Sequence, residues 1–425
     1  METIIERLEH TRLNDEPEVG QLLFKPPLHS GLAATALDDI PRYLFRVVTP
    51  YSDGTADETW VRSQSASQNK ASSVEDIFHK LDLEKRMIVA QTLNLHLRWW
   101  PKGDLDDNFV SWTSSLLFAI RYIFYRHLST EDESRWEDIK LYVIDTAQFP
   151  KGTFLADVDL IQAFCEYDTT PGKNLGSLKS LRKKEGYYFG EYLSQGSLKI
   201  ENKFVVIPAK DFFDSDQLCR LQPHFGDIQI PDGKPEWANE VIRLRKAIWP
   251  GNDLPKLSSE EIGSRLRVMN KILTGLSPRW RFPLAIYFMT LIGTETVTSD
   301  QGDADDNVFF EYFRSDPIHE GRQALLPSDF NLLKPEKLPE MKRVKTLVLE
   351  IHQYYNLRQA LDHIKLTETS LNGVATRGGS SSHDEAERNE VLLRTSQLVL
   401  SRLRTVQMLC EKVILVAPEE VRGES

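Results

Sequence analysis

The chain has 425 residues, 40% of them hydrophobic and 27% charged, with a formal net charge of −11 at pH 7. That length exceeds what one hydrophobic core usually serves, so two domains are expected. The acidic balance argues against partners gripped by broad attraction to phosphate, which disfavours nucleic acid and anionic membrane surfaces. The three cysteines, Cys165, Cys219 and Cys410, are too scattered for a disulfide framework or a zinc site and suit a reducing compartment. The opening ten residues are charged and lack the pattern of a secretory signal, and no apolar run approaches the roughly 20 residues that span a bilayer. These features predict a soluble intracellular protein, cytoplasmic by default with the nucleus left open.

Residues 1–40 read as an extension, a short charged helix followed by a loop carrying Pro26 and Pro27. Residues 41–48 are β-branched and aromatic, a strand signal, and a serine-rich loop follows to residue 73. From 74 to 100 the apolar residues recur at helical spacing, with Ser73 as a candidate N-cap. A strand over 108–111, a helix over 114–127 and a strand over 139–144 come next. A cationic, glycine-containing loop at 173–186 leads into a strand near 187–193, and a last strand covers 204–207. Strands and helices interleave without βαβ regularity, so an α+β domain with a mainly antiparallel sheet is expected over 41–221.

Proline and glycine then mark a linker at 222–236. Beyond it, residues 237–425 read as an all-helical domain, with helices over 237–249, 258–276, 278–292, 339–366 and 383–414. Flexible loops are expected near 294–306 and 372–388. The amphipathic stretch 389–414 reads as packing internally or pairing with another chain, the former being commoner for a helix flanked by others.

Three separated pieces carry candidate chemistry. Phe45-Arg46 closes an apolar strand, Phe109-Val110-Ser111-Trp112-Thr113-Ser114-Ser115 runs from a strand into a helix, and Glu191 is followed by a turn at Gly196. Splitting the nicotinamide–ribose bond of NAD passes through an oxocarbenium-like transition state, which a carboxylate stabilises. A guanidinium suits phosphate oxygens, and a hydroxyl can hold the carboxylate in place. Arg46, Ser111 and Glu191 have those chemical types.

The 109–119 segment resembles the aromatic-Val-Ser-Thr-Ser strand of the arginine–serine–glutamate class of ADP-ribosyltransferases. Phe45-Arg46 is similar to that class's Tyr-Arg strand, and Glu191 to its catalytic glutamate. Over about residues 41–210 the chain also resembles an uncharacterised domain family of fungal proteins that shares Leu-Phe-Arg-Val and Val-Ser-Trp-Thr-Ser-Ser. The resemblance implies a split antiparallel sheet with helices, and NAD as substrate in the cleft between two small sheets. It implies that Ser111 orients Glu191, Glu191 contacts the ribose, Arg46 anchors phosphates or the adenosine ribose, and Thr113 supports them. It implies glycosyl-transfer chemistry, with water or a macromolecule as acceptor.

Three departures bear on this. Trp112 replaces the middle threonine of Ser-Thr-Ser, Val48 stands where many members carry an acid, and Phe189 stands where members that modify arginine carry a second glutamate. An arginine acceptor is therefore not supported. Simpler readings stay open beside the functional ones. Arg46 could pair with an acid at the sheet edge, Ser111 to Ser114 could form a cap cluster, and Glu191 could be solvated. Trp112 could be core or a platform for a ligand ring. The basic run of Lys179, Arg182, Lys183 and Lys184 could be a solvated face or a phosphate-facing loop. His79, His96 and His127 have no partner at metal-ligand spacing, so no metal is expected. The alternative to an enzyme is a catalytically inactive domain that serves, with its helical partner domain, as a protein-interaction module.

Overall fold

The computed structural model describes residues 20–129, 132–184, 186–213, 216–227, 237–251, 254–294, 309, 312, 338–377 and 385–416. The chain divides into two units, Met1–Gly302 with Ser328–Val344, and Asp303–Pro327 with Lys345–Ser425.

The first unit is built on antiparallel strands. Strands β1 (Tyr43–Val48), β4 (Phe109–Thr113), β5 (Lys140–Asp145), β6 (Leu155–Ala156), β7 (Glu191–Gln195) and β9 (Phe204–Pro208) form a six-stranded sheet in the order β6-β7-β4-β1-β5-β9. Strands β2 (Thr55–Ala56), β3 (Trp60–Arg62) and β8 (Ser197–Lys199) form a second sheet. Every pairing is antiparallel. Gly196, at φ +62°, lets the chain turn from β7 in one sheet to β8 in the other.

Strand alternation sorts β4 into two faces. Val110 and Trp112 join a core with Leu44, Tyr142, Ile144 and Tyr192. Phe109 faces the other way, into a core with Leu193 and residues of helices α1 (Leu83–Leu97), α3 (Asp157–Phe164) and α4 (Leu175–Arg182). Ser111 and Thr113 share that second face by alternation. Helix α2 (Leu116–Leu128) follows β4 directly, and its N-cap Ser115 accepts from the Phe118 amide at 3.0 Å.

The same unit also holds helices α5 (Trp237–Ile248), α6 (Ser259–Leu273) and α7 (Pro278–Ile292). The expected boundary at 222–236 is thus not where the chain divides. Aromatic packing is the reason: Tyr287 of α7 lies edge-on to Phe45 of β1 at 5.1 Å, and Trp280 to Tyr43 at 6.1 Å. Sheet and helices share one core.

Other expectations change locally. The helix expected from 74 starts only at Leu83, because Lys80 takes a positive φ of 46° and Asp82, not Ser73, caps the Lys85 amide at 2.8 Å. The expected loop at 173–186 contains α4, capped by Asn174. Helix α8 (Pro339–Arg377) and helix α9 (Glu385–Val416) cover most of the expected 372–388 loop, whose residues 378–384 lie outside the described residues. The short helix expected within 1–40, the 294–306 loop apart from Thr294, and linker residues 228–236 also lie outside them.

In the second unit, Arg402 of α9 donates to the Leu366 carbonyl and to Ser370 of α8 at 2.7 Å, so the two helices pair. Packing covers little of α9: Leu409 is buried, but Val391, Leu392, Leu398 and Leu403 stay exposed. Among the described residues no helix is long and apolar enough to cross a membrane.

Candidate active site

A single register pair, Phe45 with Thr113, joins β1 to β4 among the described residues, while β4 pairs with β7 along its whole length. Beyond Phe45 the two strands part. The Arg46 guanidinium enters this fork and donates to the Ser111 carbonyl at 2.9 Å, a bond that an intact ladder would give to a backbone amide. The fork opens into a cavity of about 270 Å³ whose wall includes Arg46, Ser111, Thr113 and Glu191. That size is near the lower end of small-molecule pockets.

Glu191 starts β7 directly across from Thr113. Ser111 donates to Glu191 Oε1 at 2.7 Å, and Arg182 donates to Oε2 at 2.9 Å. Both carboxylate oxygens are therefore fixed. Ser111 Oγ also meets His96 Nε2 at 2.8 Å, and His96 Nδ1 meets Asp107 Oδ2 at 2.7 Å. On the other side Arg182 Nε reaches the fully buried Asp157 at 2.8 Å. The result is one continuous chain of groups, Asp107–His96–Ser111–Glu191–Arg182–Asp157.

Counting hydrogens constrains this chain. Ionised Asp107 only accepts, so His96 Nδ1 carries a hydrogen. The Ser111 hydroxyl has one hydrogen, and giving it to Glu191 leaves His96 Nε2 as the donor to Ser111. With both carboxylates ionised, these three bonds are made together only when His96 carries both ring hydrogens. With one ring hydrogen, Ser111 must choose between His96 and Glu191. In that second state the Asp107–His96–Ser111 row has the distances of a nucleophilic serine.

Electrostatics supports the ionised ends unequally. Burial pushes the Asp107 carboxyl up, but His96, then Lys102 and the Phe109 amide, outweigh it and hold the group below its ordinary value. Lys102 sits 2.8 Å from Asp53 and 3.5 Å from Asp107. Asp157 goes the other way: burial, reinforced by the Glu191 charge, pushes it up to about 7 despite Arg182. Its Oδ1 is buried without a hydrogen bond. Burial also lowers the Arg46 pKa.

Among the described residues Arg46 has no carboxylate partner, and its Nε is buried without a hydrogen bond. A guanidinium so placed favours an anionic oxygen ligand. Part of the cavity wall is aromatic. Phe118, Tyr122 and Tyr125 of α2 stack in sequence, Trp99 lies 4.9 Å from Tyr122, and Phe189 stacks on Phe118 at 5.2 Å. Trp99 adopts φ +56° just past the end of α1, a position that favours glycine. A tryptophan held there brings an indole to the cavity.

The expected site residues thus separate. Arg46, Ser111 and Glu191 come together at the cavity. Thr113 is buried beneath them, donating to the Phe189 carbonyl at 2.7 Å and capping the Ser115 amide at 3.0 Å, so its hydroxyl is a support. Trp112 also borders the cavity, but its side chain belongs to the core. Its indole is 1% exposed, lies edge-on to Phe154 and donates to Ser194 at 3.0 Å. Strand alternation turns it away from Ser111.

Sequence reasoning missed His96, Asp107, Arg182 and Asp157. The first two share no motif spacing and meet across the turn at Pro101 to Gly103. Arg182 did carry a signal: once 175–182 is a helix, Leu175, Leu178 and Arg182 fall on one face and are all buried, while Lys179 at the rim of that face is half-buried and Lys183 is exposed. Among the described residues no cluster of metal-ligating side chains occurs.

Residues 39–202 match a family described as "Domain of unknown function (DUF7587)". No curated protein and no solved structure matches the chain. The matched segment contains Arg46, His96, Asp107, Ser111, Asp157, Arg182 and Glu191.

Proposed function

We propose that this chain is an ADP-ribosyltransferase-like protein that binds NAD in the β1/β4 fork and cleaves its nicotinamide–ribose bond, passing the ADP-ribosyl group to water or to a macromolecule. One observation carries the reading: Arg46, Ser111 and Glu191, from three distant segments, line one cavity, with the Ser111 hydroxyl bonded to the Glu191 carboxylate. In this scheme the C1′–N bond breaks with its electron pair leaving on nicotinamide. The ribose becomes oxocarbenium-like, and Glu191, held at both oxygens, offers it a fixed negative charge. Arg46 takes a phosphate oxygen with the donor that the fold leaves unsatisfied. The aromatic wall suits a planar ring. Attack by water or another nucleophile at C1′ completes the transfer and releases one proton.

The experiment is a melting-temperature shift with NAD or a non-cleavable analogue, together with nicotinamide release measured by chromatography. Wild-type protein is expected to be stabilised by ligand and to release nicotinamide. Glu191→Gln is expected to keep the melting shift and lose release by about 10²-fold or more. No shift with NAD, or release undiminished in Glu191→Gln, overturns the reading. Labelling of Ser111 by a fluorophosphonate would instead assign the Asp107–His96–Ser111 row to acyl transfer.

A second reading has its own support. The exposed leucines of α9 favour a protein-interaction role in which the domain no longer turns over NAD. Binding of NAD without any nicotinamide release, in water or with candidate acceptors, would favour it.

A further inference from the structure

The segment that delivers Glu191 is held in an unusual way. Residues 186–190 belong to no strand, since β7 begins at Glu191, yet each of their five carbonyls accepts a hydrogen bond. Arg245 Nη1 serves Gly186 at 3.2 Å and Tyr188 at 2.8 Å. Arg182 Nη1 serves Tyr187 at 3.0 Å, Thr113 Oγ1 serves Phe189 at 2.7 Å, and the Ser114 amide serves Gly190 at 2.9 Å. Three of these donors come from the sheet and its helices. The donor that serves two carbonyls comes from α5, outside the 39–202 match.

Arg245 does not stand alone. Its Nε and Nη2 form a two-pronged pair with Glu340 at 3.1 and 2.7 Å, and both side chains are buried. Glu340 also accepts from Ser115 Oγ, the cap of α2. The Arg245 guanidinium lies 5.5 Å from the Phe189 ring, as does that of Arg182. Tyr187 donates to Asn239 of α5 at 3.1 Å. Gly190, at φ +63°, is packed so closely that a Cβ would lie 2.2 Å from Ser114 Oγ and 2.7 Å from Leu338. Burying a guanidinium is costly unless its charge is matched, and Glu340 matches it here. The Nη1 hydrogens are then spent on the Gly186 and Tyr188 carbonyls.

We propose that Arg245 and Glu340 are positioning residues: from outside the matched domain they clamp the 186–190 segment, and so fix the Glu191 carboxylate and the Phe189 wall of the cavity. This rests on Glu191 being the working carboxylate. A pair that merely stabilises the fold would affect the sheet and the segment alike, whereas a clamp acts locally.

The test uses the full chain with Glu340→Gln, which keeps the shape, and Arg245→Lys, which keeps the charge but loses the fork. Amide hydrogen exchange is expected to rise roughly tenfold or more at Tyr187, Glu191 and Ser114, with β1 and β5 amides unchanged. On the proposed function, kcat for nicotinamide release falls by a similar factor while the NAD-induced melting shift persists. Unchanged exchange in the segment, an equal rise across the whole sheet, or faster local exchange with undiminished kcat each overturns the proposal. The exchange result stands without turnover, so a wild-type protein that releases no nicotinamide defeats the proposed function alone and leaves the clamp to be judged by exchange at Glu191.

Discussion

The two oxygens of Glu191 are secured by arms of different chemistry. On the Oε1 side a hydroxyl and an imidazole stand between the carboxylate and Asp107, and Lys102 adds a cation there. On the Oε2 side one guanidinium serves both Glu191 and Asp157, with no further cation in contact among the described residues. The outcome is opposite for the two terminal acids. Asp107 is held below its ordinary value and Asp157 is pushed up to about 7. A buried carboxylate stays charged when cations and amides outnumber it locally, and takes up a proton when it must share. One arm is thus built to transmit hydrogen-bond choice to Ser111, and the other to hold charge against Glu191.

The difference can be broken at the guanidinium first. Arg182→Met leaves two carboxylates buried without their cation, and a loss of about 3–5 kcal/mol is expected in denaturant unfolding. A loss under about 1 kcal/mol would mean that Asp157 and Glu191 do not depend on Arg182. The other arm should be weaker. Asp107→Asn removes the charge facing His96 and is expected to cost about 1.5–3 kcal/mol, with the His96 ring signals moving in ¹⁵N spectra.

Asp157→Asn sharpens the contrast through pH. A carboxyl that holds its proton to about 7 when folded, but releases it near 3.8 when unfolded, binds extra protons in the native state between those values. Its contribution is fully present below about 4 and is lost as pH rises towards 7. Wild-type melting temperature, compared with that of Asp157→Asn, is therefore expected to decline over that window. A constant difference between the two proteins from pH 4 to 7 would contradict the shared-guanidinium account. The smallest expected stability effect belongs to Ser111→Ala, about 1 kcal/mol. Its consequence for nicotinamide release should be larger, because Glu191 Oε1 loses its tether. Release unchanged in Ser111→Ala would remove the hydroxyl from the mechanism.

Much of this was legible along the chain. The strands at 43–48, 109–113, 140–145 and 204–208 announce themselves through β-branched and aromatic runs, and α2 through its apolar spacing. Arg46, Ser111 and Glu191 stand out because the segments that hold them resemble those of a known enzyme class; residue type and spacing alone do not mark them. Arg182 was obscured by its basic neighbours, and Trp112 by its place beside Ser111 in a motif. Periodicity shows how a strand or helix is sided, but not which side faces a cavity.

The sequence by itself determined the longer strands, most of the helices and the antiparallel α+β character, because propensity, alternation and capping act over a few neighbouring residues. Only the tertiary structure decided that His96 and Asp107 complete one arm, that Arg182 and Asp157 complete the other, and that Arg245 and Glu340 reach the same segment from much later in the chain. Those contacts depend on where β1 and β4 part and on which buried charges find each other. Both are settled by packing between elements, which no local pattern records.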